Sequence, residues 1–181
     1  MKKYLIFLSL ICFPFIISCT QDITAGVNFD EKQFNSQKSK WESFETSSYS
    51  FNYDFFYNSL PLPYVTGKVK VENGKSTVEI KCETNPDEDL SENSKYYLKD
   101  INSVFDSVYN AYKNSLEVSK NNKSYISYKI EYDSSYGFPA YVTNSEIKPK
   151  CKEKESQLDQ PGQSSGDFGL QITDFSIDIN K

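Results

Sequence analysis

Alternating apolar and polar residues predict most of the strands of this chain. Between positions 49 and 57, aromatic residues occupy every second place, as expected for a strand with one buried face. Asn73-Gly74 supplies the positive φ angles of a tight turn, and so predicts a hairpin between the patterned segments on either side. The predicted strands are 49–57, 65–72, 76–82, 125–132, 140–147 and 170–179.

Apolar residues three, four or seven positions apart predict two helices. Phe34, Trp41 and Phe44 share one face of a helix that Asn28 or Asp30 can cap. A second helix begins near Asp100, with its apolar residues at three- and four-residue steps. These residues are Ile101, Val104, Phe105, Val108, Ala111, Tyr112 and Leu116.

The order of these elements predicts the fold class. Helix, three strands, helix, three strands is typical of an α+β two-layer sandwich, with both helices on one face of an antiparallel sheet. A single domain is expected over 29–181, since the chain after position 28 has the length of one domain. The charged and then Gln-, Ser- and Gly-rich segment at about 152–169 predicts a mobile loop.

The amino-terminal segment has the pattern of a lipoprotein signal peptide. Lys2 and Lys3 precede an apolar run over 5–17, and Ser18 stands before Cys19. This arrangement is a lipobox, in which the Cys19 thiol receives diacylglycerol and further acylation such as palmitate. The expected products are a removed signal peptide, 1–18, and a lipidated tether, 19–28.

Two alternatives to the lipobox remain open at this point. A transmembrane anchor needs about 20 apolar residues, whereas this run has about 13 and contains Pro14. An ordinary secretory signal would carry Cys19 by chance, and Ile16 stands where a lipobox usually has Leu. The lipobox is the preferred interpretation, and it predicts a protein of the cell envelope that is attached to a membrane through its lipid anchor.

Charge and composition limit the partners and the chemistry. Without Lys2 and Lys3, 18 Lys stand against 25 Asp and Glu, so the mature chain is acidic and unsuited to nucleic acid. The chain has no His and no Arg, which excludes imidazole bases and His-ligated metals. No catalytic residue, metal ligand or cofactor is therefore expected. Alternate oxygens over 85–91 suggest a calcium loop, but an acidic solvated loop explains them equally well.

Two cysteines remain after the signal and the anchor are set aside. Cys82 and Cys151 form an even pair in an oxidising compartment, which favours a disulfide between them. Two unrelated thiols are the alternative.

Five short motifs of the chain occur together in one known family. They are Trp41, Tyr49-x-Phe51-x-Tyr53, Val69-x-Val71 before Asn73-Gly74, Val104-Phe105 and Tyr132-Asp133-x-x-x-Gly137-Phe138-Pro139. With these motifs the chain resembles a family of bacterial lipoproteins and secreted proteins built on a domain of unknown function. The resemblance covers about 38–147, with a looser match around Phe175, and departs from the family at 60–63 and in the segment before the last strand. It implies an envelope location and no established activity.

The candidate binding surface comprises Phe56, Tyr64, Asp133 and Tyr136. Phe56 and Tyr64 lie off the main aromatic stripe, while Asp133 and Tyr136 are polar groups in a loop between strands. An architectural interpretation of the turn competes with this one: Asp133 would cap its own backbone and Gly137 would adopt a positive φ.

These observations predict a non-enzymatic binding or interaction module that contacts an envelope protein or a glycan. One alternative is an inhibitor of a secreted enzyme, by analogy of fold only. Another is a hydrolase that uses two Asp or Glu carboxylates in a cleft.

Overall fold

The computed structural model of the chain describes residues 25–56, 63–147 and 168–177. Within these ranges the chain forms seven strands and two helices. In chain order they are β1 (Gly26–Asn28), α1 (Glu31–Glu42), β2 (Tyr49–Phe56), β3 (Val65–Glu72), β4 (Lys75–Cys82), α2 (Ile101–Asn122), β5 (Tyr125–Tyr132), β6 (Pro139–Ile147) and β7 (Gly169–Ile177).

The predicted α+β class is confirmed, but the prediction of a fully antiparallel sheet is wrong. All seven strands form one mixed sheet in the order β1-β5-β6-β7-β2-β3-β4. β1 pairs with β5 in parallel, and every other neighbouring pair is antiparallel. The element order also begins with a strand rather than with a helix.

Residues 26–28, expected to end a lipidated tether, instead form β1. The Gly26 N–H donates to the Ser124 carbonyl at 3.1 Å, and the Ser119 hydroxyl donates to the Gly26 carbonyl at 3.1 Å. Three residues are too few to show the alternation of apolar and polar residues that predicts a strand. The partner strand lies about 100 residues away in the sequence, so local sequence does not indicate the pairing either.

Of the loop predicted at about 152–169, residues 152–167 lie outside the described ranges. Gly169 begins β7 instead, and the Phe168 carbonyl accepts a hydrogen bond from Asn144 N at 3.1 Å.

One face of the sheet forms the core with both helices. Along β2, buried residues alternate with half-buried ones, and Phe51 and Tyr53 are almost completely inaccessible to solvent. Tyr49 contacts both helices: its ring lies 5.3 Å from that of Trp41, and its hydroxyl accepts a hydrogen bond from Ile101 N at 3.2 Å. The described elements therefore form two layers, with the helices on the same face.

Local sequence explains where α2 begins and ends. The Asp100 carboxylate accepts from Ser103 N at 2.6 Å, while the Ser103 hydroxyl accepts from Asp100 N at 3.1 Å, which forms a capping box. At the other end Lys123 adopts a left-handed conformation with φ +52° and closes the helix.

Candidate functional site

A groove of about 440 Å³ lies on the helical side of the sheet, beside α2. One flank of α2 forms one wall, the loop that precedes α2 forms the other, and the ends of β2 and β6 and the start of β5 form the floor. Its lining residues are Phe55, Phe56, Tyr64, Ser94, Lys95, Tyr96, Tyr97, Leu98, Ser103, Asp106, Ser107, Asn110, Ala111, Asn114, Ser115, Val118, Ile126, Asn144, Glu146 and Phe168.

The groove exists because α2 crosses the sheet obliquely. Its first residue, Ile101, contacts Tyr49 at the start of β2, whereas Asn122 at its end donates to Glu146 Oε1 in β6 at 3.2 Å. The end of β2 near Phe55 lies about 20 Å along the strand from Tyr49. This part of the sheet is therefore not covered by the helix.

Aromatic side chains form the wall opposite α2. Tyr53, which is completely buried, donates its hydroxyl hydrogen bond to the Tyr96 carbonyl at 2.9 Å and so fixes the loop against the sheet. The Tyr96 ring lies 5.5 Å from that of Phe55 and 5.4 Å from that of Tyr64. Three aromatic rings, from β2, from the residue that precedes β3 and from the loop before α2, are thereby held in contact.

The Glu88 carboxylate and the Cys82 thiol fix the position of the Tyr64 side chain. Its hydroxyl donates a hydrogen bond to Glu88, and this bond, together with desolvation and the neighbouring Cys82, raises the pKa of Tyr64. The Cys82 thiol also donates to Glu88 at 3.4 Å and accepts from Asn85 N at 3.3 Å. The Tyr64 ring therefore has a fixed position at the rim of the groove.

Polar side chains are buried at the other end of the groove. The Ser115 and Tyr128 hydroxyls are 2.8 Å apart, and Asn144 Nδ2 donates to the Tyr128 hydroxyl at 3.4 Å. Asn144 Oδ1 accepts from Phe168 N at 3.1 Å. Glu146, only 8 % exposed, lies two residues further along β6 on the same face.

Asn144 and Glu146 were not among the residues predicted from the sequence. Both occupy inward positions of β6, opposite Tyr128 and Ile126 of β5. A polar residue at a place where the alternation requires an apolar one is the signal that could have revealed them.

The structure divides the predicted binding surface into two parts. Phe56 and Tyr64 both line the groove, whereas Asp133 and Tyr136 lie at the opposite end of β5. Asp133 Oδ1 accepts from Ser135 N at 2.9 Å and from Tyr136 N at 2.7 Å, so the carboxylate caps its own turn.

The remainder of that turn is docked onto α1. Gly137 has φ +86°, and a Cβ there would lie 2.9 Å from Gln37 Oε1. Lys40 Nζ donates to the Ser134 carbonyl at 2.7 Å. These contacts match the architectural interpretation of the turn.

The predicted cysteine sites lie largely outside the described residues. Cys19 and Cys151 both do so, and Cys82 is a buried free thiol in the described part of the chain. The lipidation and the disulfide therefore stay predictions.

The acidic residues of the groove are far apart. Asp106 lies near the start of α2, with its carboxylate 3.5 Å from Lys38 Nζ, whereas Glu146 binds Asn122 near the end of the helix. Sixteen helical residues separate the two contacts, which corresponds to about 24 Å. In the described ranges, no three His, Cys, Asp or Glu side chains are placed to hold a metal ion.

Comparison of the chain with protein families, with curated proteins and with solved structures found no match. The resemblance inferred from the sequence motifs therefore stays a prediction. None of the described helices is both long and apolar enough to span a bilayer.

Proposed function

We propose that this chain is a membrane-anchored lipoprotein of the cell envelope whose α+β domain is a non-enzymatic binding module. The groove beside α2 is the observation that carries the binding role. Its volume of about 440 Å³ lies within the range of ~300–1,000 Å³ that is typical of small-molecule sites. The lipobox at Cys19 supports the membrane anchor and the envelope location.

The chemistry of the groove supports binding rather than hydrolysis. A carboxylate pair must be about 5–9.5 Å apart to cleave a glycosidic bond. Asp106 and Glu146 are the two acids among the lining residues, and Glu146 is bound to Asn122, which lies about 24 Å along α2 from Asp106. The chain has no His to act as a base in their place.

Native mass spectrometry tests the binding role with the full chain carrying Cys19→Ser, which removes the acylation site. The probe is a mixture of soluble fragments released from bacterial envelopes by digestion. We expect a bound mass on this protein that persists in Asn102→Trp. We expect Asn110→Trp, which fills the groove, to abolish it.

The two tryptophan variants form a matched pair. Both residues are exposed Asn side chains on α2, but Asn110 lines the groove and Asn102 does not. If the bound mass survives in Asn110→Trp, or if no fragment binds at all, the groove is not the binding site.

A further inference from the structure

A row of uncharged polar side chains runs along the groove wall formed by α2. Ser107, Asn110 and Asn114 are three and four residues apart, so they lie one above another over about 10 Å of the helix. None of the three makes a side-chain hydrogen bond within the described part of the chain. Each amide or hydroxyl can both donate and accept, as a sugar hydroxyl does.

Aromatic rings face this row across the groove. Tyr64 and Tyr96 are half-buried and line the same space beside the buried Phe55, and Tyr96 is anchored by the hydrogen bond from Tyr53 to its carbonyl. The face of an aromatic ring carries partial negative charge, which attracts the partially positive C–H groups on the flat side of a pyranose. One wall of the groove is therefore suited to hydroxyl groups and the other to the C–H face of the same ring.

The charged residues of the lining are engaged by the protein. Lys95 Nζ lies 4.8 Å from the centre of the Tyr96 ring, Asp106 pairs with Lys38, and Glu146 accepts from Asn122. One positive and two negative side chains leave the lining close to neutral. Charge complementarity thus favours an uncharged ligand.

From this juxtaposition we infer that the groove binds a neutral oligosaccharide. The inference rests on the proposed binding function and names its ligand class. Ser107, Asn110 and Asn114 bind the hydroxyl groups, while the Tyr96 ring packs against the C–H face of a sugar ring.

Two other ligand classes fit the groove less well. An extended peptide is commonly held by an open strand edge, but β2, which carries Phe55 and Phe56, is paired with β3 and β7. An acyl chain would take water away from Asn110 and Asn114 without replacing its hydrogen bonds. Each amide that is desolvated without a new hydrogen-bond partner makes such binding less favourable.

Isothermal titration calorimetry of the full chain carrying Cys19→Ser tests this inference. The probes are neutral di- to tetrasaccharides of hexose and of N-acetylhexosamine, an oligouronate of equal length, an uncharged apolar hexapeptide and laurate. We expect binding of at least one neutral oligosaccharide and at least tenfold weaker binding of the other three classes.

Alanine variants locate the binding. We expect Asn110→Ala and Asn114→Ala each to weaken it about tenfold, because a hydrogen bond to the ligand is lost. Tyr96→Ala should weaken it at least as much, and Asn102→Ala should leave it unchanged. Unchanged circular dichroism and melting temperature would show that each variant is folded.

The outcomes separate this inference from the proposed function. If laurate or the hexapeptide binds best, and Asn110→Trp abolishes that binding, the groove is a binding site and the oligosaccharide inference is wrong. If an oligosaccharide binds but Asn110→Trp has no effect, the sugar site lies elsewhere and the groove assignment fails. If no probe of any class binds, the oligosaccharide inference is also wrong.

Discussion

At the scale of single residues, the contact between Gly67 and Tyr53 links the core to the groove. The two residues are directly opposite each other on β3 and β2, and the Tyr53 ring occupies the space over the glycine. A Cβ at position 67 would lie 2.0 Å from Tyr53 Cζ. The Tyr53 hydroxyl also donates a hydrogen bond to the Tyr96 carbonyl, so a displacement of the Tyr53 ring would also displace the groove wall.

We expect Gly67→Ala to destabilise the protein by about 2–3 kcal/mol, since the added methyl group overpacks a closed core. Urea unfolding measures the change in the free energy of unfolding. Gly26→Ala is the matched control, because nothing lies within 4 Å of a Cβ at that position. Equal stability of the two variants would show that the Tyr53 ring is not packed on Gly67.

The buried phenol of Tyr49 makes the stability of the protein depend on pH in the alkaline range. Desolvation raises the pKa of its phenol to about 12, although the hydrogen bond from Ile101 N acts in the opposite direction. A raised pKa means that the folded state retains the proton longer than the unfolded state, in which the pKa is about 10. The contribution of the protonated Tyr49 phenol to the free energy of unfolding is complete below pH 10, and it is lost as the pH rises from about 10 to about 12.

We expect Tyr49→Phe to cost about 1 kcal/mol at pH 7, where the buried Ile101 N–H loses its acceptor. The same substitution should reduce the loss of stability above pH 10, since one ionising group is removed. Urea unfolding between pH 7 and pH 11.5 measures both effects, with Tyr141→Phe on the outer face of the sheet as the control. An alkaline limb as steep as that of the parent protein would contradict the assignment to Tyr49.

At the scale of elements, the sequence pattern predicted those helices and strands whose formation depends on residues close together in the chain. The β3–β4 hairpin follows from Asn73 and Gly74, which have φ +49° and +73°, and α2 follows from its apolar face and its capping box. β1 could not be predicted, because its pairing with β5 depends on contacts distant in sequence. The groove was not predicted either: the inward positions of Asn144 and Glu146 gain meaning only when the oblique course of α2 is known.

The Asp133 turn connects β5 to β6 and contacts α1, so a substitution there tests how these three elements are held together. We expect Asp133→Ala to reduce the free energy of unfolding by about 1–2 kcal/mol, since two backbone N–H groups lose a carboxylate acceptor. Binding in the groove should not change, because the turn lies at the other end of β5. Chemical denaturation and calorimetry measure the two quantities separately.

Asp87→Ala, an exposed acid in the loop after β4, controls for the loss of one carboxylate. Loss of ligand binding in Asp133→Ala at unchanged stability would move the functional site to this turn.

At the scale of the whole molecule, we propose a domain with a binding groove that a lipid anchor holds at a membrane. Two or three acyl chains at Cys19 would hold the protein on a bilayer, because each buried methylene contributes about 0.8 kcal/mol. The chain has a formal net charge of -5 and supplies no comparable attraction to anionic lipid. The lipid is therefore the proposed source of membrane attachment.

We expect Cys19→Ser to abolish the incorporation of labelled palmitate and to move the protein from the membrane fraction to the soluble fraction. Cys82→Ser is the control for the loss of one thiol, and it should keep both properties. Palmitate labelling and membrane fractionation measure the two properties directly. A protein that stays in the membrane fraction without Cys19 would contradict the lipid anchor.

The groove itself is tested most directly by nuclear magnetic resonance of the full ¹⁵N-labelled chain carrying Cys19→Ser, titrated with the envelope fragments. The account predicts saturable shifts of the amide signals of Tyr96, Ser107, Asn110 and Asn114, and no such shifts in Asn110→Trp. Shifts confined to the outer face of the sheet or to the turn after β5, or no shifts at all, would contradict it.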